Sequence, residues 1–194
     1  MRVNKQKGFS LVELVIALAV LSIVLSLAAP SFSDSMQNAR ISARYNEMVS
    51  AMQLARSEAV KRNTPVAICA RDSDSTCGNA WGNGLLVFVD NGATANSLEA
   101  DEEILRIVEP SQVGTVINAQ GSTSASSPYI VRTNIRFGPS GISNWRGGGA
   151  VQVCDQRGDE SMRALFVNLD GGIKRARRDQ QDEVITPWGG TLTC

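Results

Sequence analysis

The stretch KGFSLVELVIALAVLSIVLSLAAP, residues 7–30, decides the architecture of this chain. Within it, residues 9–29 are 21 consecutive residues with one ionisable side chain, Glu13. An α-helix of that length measures about 31 Å, which matches the roughly 30 Å hydrocarbon core of a bilayer. Basic residues precede the run, so the positive-inside rule predicts a cytoplasmic N-terminus. The sequence therefore predicts one membrane-spanning segment, with the bulk of the chain on the far side.

A secretory signal peptide is the alternative interpretation of the same run, because small residues end it at Ala28 and Ala29. The apolar run is longer than the roughly 7 to 15 residues of a signal-peptide core. Glu13 inside it costs several kcal/mol in a membrane unless a cation pairs with it, so an intramembrane carboxylate is by default a functional residue. Both features favour a retained helix over a signal peptide that is cut after Ala29.

The composition excludes several classes of function. The chain has 194 residues, which corresponds to one domain of ordinary size. Its 19 basic and 19 acidic residues balance, which excludes a uniformly basic nucleic-acid-binding protein. It contains no histidine, which excludes Ser-His-Asp and Cys-His catalysis within the chain and removes the commonest metal ligand. We therefore expect no enzyme activity, no cofactor and no metal site.

The octapeptide KGFSLVEL at residues 7–14, followed by the apolar run and Pro30, resembles the class III leader and N-terminal helix of type IV pilins and type II secretion pseudopilins. The resemblance implies that residues 1–8 are a leader, which a prepilin peptidase removes by cleavage between Gly8 and Phe9. It also implies N-methylation of Phe9 and retention of residues 9–29 as the transmembrane and filament-core helix.

Cleavage at that point makes Glu13 the fifth residue of the mature chain. Its carboxylate can then pair with the freed α-amine of Phe9 in a neighbouring subunit, which relieves two desolvated charges when the helices pack into a filament. We therefore expect Glu13 to act in assembly.

A second helical segment, amphipathic and continuous with the first, is predicted for residues 30–64. Between residues 31 and 62 there is no glycine or proline, and spacings of three and four define one apolar face. We expect Pro30 to kink the helix and Thr64-Pro65 to end it. The residues of the apolar face are Ile41, Tyr45, Met48, Met52, Ala55 and Ala59.

Residues 65–194 read as short β-rich runs separated by turn residues, which predicts an antiparallel sheet domain covered by the amphipathic helix and an α+β fold. The predicted strands are 66–70, 85–90, 103–108, 114–118, 129–137, 150–154, 163–170, 172–177 and 190–194. Blocks at 84–90, 99–109, 135–154 and 163–178 resemble the GspH and FimT/FimU family of minor pilins and pseudopilins. That resemblance implies a long N-terminal helix packed on two antiparallel sheets.

The four cysteines predict disulfides, because the compartment outside the inner membrane is oxidising. Three pairings are possible. We favour Cys69 with Cys77, which closes a small loop, and Cys154 with Cys194, which ties down the chain end. Zinc is the alternative, but the chain has neither a CxxC spacing nor a histidine.

The densest basic cluster comprises Lys174, Arg175, Arg177 and Arg178. On a strand, Arg175 and Arg177 would share one face and Lys174 and Arg178 the other. Such a cluster can bind phosphates, and FimT-type minor pilins carry a G-R-x-R element near the C-terminus that is associated with DNA binding. Here Ile173 stands at the first arginine position, so the alternative is a charged strand edge that discourages aggregation and faces nearby carboxylates.

From these observations we expect a minor pilin, a structural subunit of a type IV pilus that helps to initiate assembly near the tip. Its partners would be major and minor pilins, the prepilin peptidase and the lipid of the inner membrane. The C-terminal domain would lie in the periplasm before the subunit enters the pilus. The alternatives are a minor pseudopilin of the type II secretion system and a DNA-binding minor pilin for natural transformation.

Overall fold

A computed structural model describes residues 8–110, 114–122, 130–180, 183–186 and 191–194, without the side chains of residues 26–31. The chain divides into two compact units, residues 1–39 and residues 40–194. Within the described parts of the chain, no helical stretch combines the length and the hydropathy that a membrane span requires.

A single helix, α1, runs over Leu11–Arg62. It begins where the Glu13 N–H donates to the Ser10 hydroxyl at 3.2 Å and the Leu14 N–H donates to the Ser10 carbonyl. Ser10 is thus the N-cap, which satisfies a backbone donor that has no partner within the helix. At the other end Asn63 adopts φ 52°, a left-handed conformation typical of the residue after a helix. Pro65 follows, so the predicted end of the helix is confirmed.

The second half of α1 buries the predicted apolar face. Each of its six residues, from Ile41 to Ala59, is at most 9% exposed. Pro30 lies within the span of α1, but its side chain is outside the described residues, and the kink there remains a prediction.

Twelve strands are described after the helix. They are β1 Val66–Ser73, β2 Thr76–Cys77, β3 Leu85–Val89, β4 Ile104–Val108, β5 Thr115–Gly121, β6 Ile130–Val131, β7 Asn134–Phe137, β8 Gly149–Asp155, β9 Arg163–Val167, β10 Ile173–Arg175, β11 Val184–Ile185 and β12 Thr191–Leu192. Two short 3₁₀ turns cover Trp81–Asn83 and Gly158–Ser161.

These strands form two large antiparallel sheets and one small sheet. Sheet I has the order β2-β1-β3-β4, with β7 also paired to β1, and sheet II has the order β10-β9-β8-β5-β6. The strands β11 and β12 pair with each other. The predicted architecture, a long N-terminal helix with two main antiparallel sheets, is confirmed.

The main core lies between α1 and the inner faces of sheets I and II. A second cluster covers the outer face of sheet II, where Val184 of β11 and Leu192 of β12 pack with Phe166 of β9. A third cluster lies on the outer face of sheet I. Strands β1, β3, β8 and β9 are therefore buried over most of their length on both faces, and their sequences are near-continuous apolar runs.

One indole ring constrains one end of the β5–β8 pair in sheet II. Gly121 of β5 pairs with Gly149 of β8, and a Cβ at either position would collide with the ring of Trp145. Glycine is required at both positions because the indole, 1% exposed, lies directly on the backbone there.

The predicted single strand 129–137 is wrong. Within the described residues, β6 pairs with β5 in sheet II, whereas β7 pairs with β1 in sheet I. The chain changes sheet at residues 132–133, where two buried indoles fix it. Trp81 Nε1 donates to the Arg132 carbonyl at 2.6 Å and Trp145 Nε1 donates to the Asn134 carbonyl at 3.1 Å. No glycine or proline marks this crossover, so the local sequence carries no signal of it.

Two disulfides are present, Cys69–Cys77 and Cys154–Cys194, which are the two pairings that the sequence favours. The first joins β1 to β2 within sheet I. The second joins β8 of sheet II to the last residue of the chain, and it thereby holds the small sheet near the outer face of sheet II.

Candidate functional site

The N-terminal residues expected to be processed lie just before α1. Gly8, Phe9 and Ser10 precede the first turn and are exposed, with Phe9 83% exposed. Glu13 lies in that first turn, where a carboxylate interacts favourably with the helix dipole. Ser10 and Glu13 have the S-x-x-E spacing of a capping box, which is a local sequence signal of the helix start.

The helix that follows exposes apolar side chains on every side. From residue 8 to residue 25 each described side chain is exposed. The large apolar ones are Phe9, Leu11, Val12, Leu14, Val15, Ile16, Leu18, Val20, Leu21, Ile23, Val24 and Leu25. Soluble monomers rarely expose so large a continuous apolar surface, which marks a site of contact with protein or lipid. A helix that is apolar all round is stable only when something else covers it.

The basic cluster lies at the edge of sheet II. Strand β10 ends at Arg175, so the alternation of faces predicted through Arg178 does not hold. Arg178 bends toward the 3₁₀ turn after β8 and donates from Nη2 to the carbonyls of Asp159, Glu160 and Met162, at 2.7, 2.8 and 3.1 Å. Three backbone carbonyls, those of exposed Asp159 and Glu160 and of buried Met162, thus hold this guanidinium, which gives it a structural role.

The other three basic side chains, Lys174, Arg175 and Arg177, are exposed. Among the residues that the structure describes, no carboxylate forms an ion pair with any of the three. Residues 181–182 lie outside the described residues, so the expectation that the cluster faces nearby carboxylates stays a prediction. Arg175 is close enough to α1 to act on Tyr45: burial raises the pKa of that phenol, and the charges of Arg175 and Arg163 oppose the rise.

A groove of about 1120 Å³ runs beside this edge, between β9 and β10 on one side and β11 on the other. Its lining combines apolar and basic side chains. The apolar ones are Met162, Ala164, Phe166, Ala176, Val184 and Ile185, and the basic ones are Arg163, Lys174, Arg175, Arg177 and Arg178. Sequence patterns do not predict this groove, because β9 and β11 are brought together by the Cys154–Cys194 disulfide and by an antiparallel bridge between Arg178 and Val184 of β11.

Two of the acidic residues, Glu99 and Asp155, accept hydrogen bonds from other residues of the chain. Glu99 accepts the Thr94 and Ala93 N–H groups, and these hydrogen bonds lower its pKa. Asp155 is partly buried, which raises its pKa, but hydrogen bonds from Arg157 and Ser161 outweigh this and leave the pKa below its usual value. Among the described residues, no group of three or more metal-binding side chains is arranged around a common point.

Two family sequence models match the chain. The family described as type II transport protein GspH matches residues 45–171. The prokaryotic N-terminal methylation motif matches residues 3–29. No curated protein matches the chain.

Two solved structures are among those similar to the chain. The type IV minor pilin FimU of Pseudomonas aeruginosa (strain PAO1) is 20% identical, with 68% of this chain and 89% of that chain covered and a TM-score of 0.48. The minor pseudopilin EpsH from the type 2 secretion system of Vibrio cholerae is 6% identical, with 70% of this chain and 95% of that chain covered and a TM-score of 0.48.

Proposed function

The chain belongs to the GspH family, and from that membership we propose that it is a minor pilin, a structural subunit of a type IV pilus that helps to initiate assembly near the tip. One observation carries the proposal: the exposed apolar start of α1, residues 11–25, lies within the stretch that matches the N-terminal methylation motif, residues 3–29. Lipid of the inner membrane covers this helix first, and the helices of other pilins cover it in the filament. The role is structural, and no reaction is assigned to the subunit itself.

Processing precedes assembly. We propose that a prepilin peptidase cuts between Gly8 and Phe9 and that the new N-terminus of Phe9 is methylated. The exposure of both residues, just outside the first turn of α1, supports access by the peptidase. Because Ser10 caps the helix from within the mature chain, removal of residues 1–8 leaves the cap in place.

Glu13 then couples the subunit to its neighbour. Its side chain is exposed in the isolated chain, and its position in the first turn places it near the N-terminus of the mature subunit. When the surrounding helices exclude water, the carboxylate needs a cation, and the α-amine of Phe9 in an adjacent subunit supplies it.

The test is the substitution Glu13→Ala in cells that assemble type IV pili. We expect the variant to be cleaved, so that mass spectrometry finds Phe9 as its first residue, but to be lost from sheared pili. Asp34→Asn, which removes another exposed carboxylate of α1, is the matched control and should enter pili normally. Wild-type chain that retains Met1, or is cut after Ala29, contradicts the processing; Glu13→Ala in pili at the wild-type level contradicts the role of Glu13.

A type II secretion pseudopilus is the second candidate, which the description of the matched family favours. Family membership does not separate the two candidates, so they are separated by phenotype. Deletion of the gene abolishes pili if the subunit belongs to a pilus, and it abolishes export of secreted proteins if the subunit belongs to a pseudopilus.

DNA uptake is the third candidate, because three exposed cations of the basic cluster have no carboxylate partner in the described chain. A mobility shift with the full chain in detergent tests it. Binding that weakens steeply with salt and disappears in the triple variant Lys174→Ala, Arg175→Ala, Arg177→Ala supports DNA contact. A shift that the triple variant does not change contradicts it.

A further inference from the structure

The free edge of sheet II carries unused backbone hydrogen-bonding groups. In the β9–β10 pair, the Asn168 N–H donates to the Gly172 carbonyl and the Ala176 N–H donates to the Ala164 carbonyl. Along a strand of an antiparallel pair, residues that hydrogen-bond to the partner strand alternate with residues whose backbone groups point away from it. The N–H and C=O groups of residues 173 and 175 therefore point away from β9. No described residue pairs with them. This edge can therefore accept one more strand.

The groove beside that edge has an apolar floor and a basic rim. Phe166 and Ala164 form part of the floor, and Ile185, 41% exposed, stands on the opposite wall. Lys174 and Arg177 line the same groove, are exposed, and have no carboxylate partner in the described chain. Unpaired cations next to an apolar wall favour an occupant that brings both carboxylates and apolar side chains.

We propose that this groove binds an extended segment of an adjoining pilin subunit, which adds a strand at the β10 edge and places carboxylates against Lys174 and Arg177. Backbone pairing along the edge supplies the contact, and the alternating side chains supply selectivity. A protein segment fits better than DNA, because phosphates use only the cations and leave Ile185 and the backbone groups of β10 without a partner. This inference rests on the proposed function as a filament subunit.

The test is site-specific photo-crosslinking of the full chain in cells that assemble the filament. A benzophenone amino acid replaces Ile185 in the groove or, as a control, Val116, which is 54% exposed on β5 and does not line the groove. We expect the probe at 185 to crosslink to a pilin subunit, at a peptide that mass spectrometry identifies as an acidic and partly apolar segment. The probe at 116 should not give this product.

Charge reversal at Lys174 and Arg177 tests whether these cations attract the bound segment. Lys174→Glu with Arg177→Glu should lower the yield of the crosslink about fivefold or more, because two favourable ion pairs become repulsive. Lys61→Glu with Arg146→Glu changes the net charge equally at exposed sites outside the groove and should leave the yield unchanged.

Four outcomes overturn the proposal: no crosslink from position 185 although the chain is found in sheared filaments, the same product from position 116, a yield that charge reversal in the groove does not lower, or a crosslink to DNA. Absence of the chain from every filament fraction instead overturns the proposed function, on which the inference rests. Thiol titration confirms that each variant retains both disulfides, and circular dichroism confirms that each variant is folded.

Discussion

Removing the two disulfides separately should have different costs, because they close loops of different length. Cys154 and Cys194 are 40 residues apart in sequence, whereas Cys69 and Cys77 are 8 apart. The chain-entropy relation gives a stabilisation of about 4 kcal/mol for the longer loop and about 2.5 kcal/mol for the shorter loop. We therefore expect the double substitution Cys154→Ala, Cys194→Ala to lower the free energy of unfolding by about 1.5 kcal/mol more than Cys69→Ala, Cys77→Ala.

The two double variants are matched controls for each other. Each removes two sulfur atoms, and each includes one deeply buried position, Cys154 at 3% and Cys69 at 1% exposure. The loss of packing is therefore similar, and the difference between the variants isolates the loop. Removing the Cys154–Cys194 disulfide also releases the small sheet of β11 and β12, which forms one wall of the groove. Only the variant Cys154→Ala, Cys194→Ala should therefore weaken the crosslink from position 185.

The assay is urea unfolding of the oxidised full chain in detergent micelles, with tryptophan fluorescence as the signal that reports unfolding. With an m-value of about 2 kcal/mol/M, the difference between the variants corresponds to about 0.7 M in the unfolding midpoint. An equal loss of stability in both variants, or a larger loss for the short loop, refutes the loop-length argument.

Three further predictions concern single positions. Gly149→Ala should lower the free energy of unfolding by about 1–3 kcal/mol, because the new methyl group meets the Trp145 ring and lies 2.6 Å from the Gln120 carbonyl oxygen of the facing strand. Gly82→Ala is the control: its Cβ meets open space, so it should lower the free energy of unfolding by less. Arg178→Ala should lower the free energy of unfolding by about 1–3 kcal/mol, because three carbonyls lose a charged donor. Its control, Arg177→Ala, should stay within about 0.5 kcal/mol of wild type. Thermal unfolding of the two glycine variants and the two arginine variants measures these differences. Asp155→Asn should be less stable than wild type near neutral pH, and the difference should vanish in acid. The pKa of the Asp155 carboxyl is lower in the folded state than in the unfolded state. The stabilisation by the carboxylate is therefore present above the unfolded-state pKa and is lost as the pH falls through the folded-state pKa. A difference between wild type and Asp155→Asn that persists at low pH in urea titrations contradicts that assignment.

Local sequence was sufficient to predict the helix and its buried face. The spacing from Ile41 to Ala59 identifies the side of α1 that packs on the sheets, because the period of a helix is fixed by its backbone. The same reasoning placed most of the long strands, since β1, β3, β8 and β9 are buried over most of their length and their sequences are continuous apolar runs.

Local sequence was not sufficient where two distant parts of the chain decide the conformation. Residues 129–137 have the pattern of one strand, but within the described residues β6 and β7 belong to different sheets, because Trp81 and Trp145 donate to the carbonyls of Arg132 and Asn134. The basic cluster also reads as one strand, but Arg178 leaves it to reach carbonyls 16 to 19 residues earlier. Neither contact has a signal in the residues next to it.

The sequence by itself determined the N-terminal segment and the family. A run of 21 residues with one carboxylate, preceded by Lys7 and Gly8, can be recognised without coordinates because its signal lies in consecutive residues. Only the tertiary structure decided which cations of the basic cluster are held within the domain and which remain exposed. It also decided where the free edge of sheet II and the groove lie. The physical reason is that a strand edge and a groove are properties of how separate segments pair, and pairing depends on contacts between residues far apart in sequence.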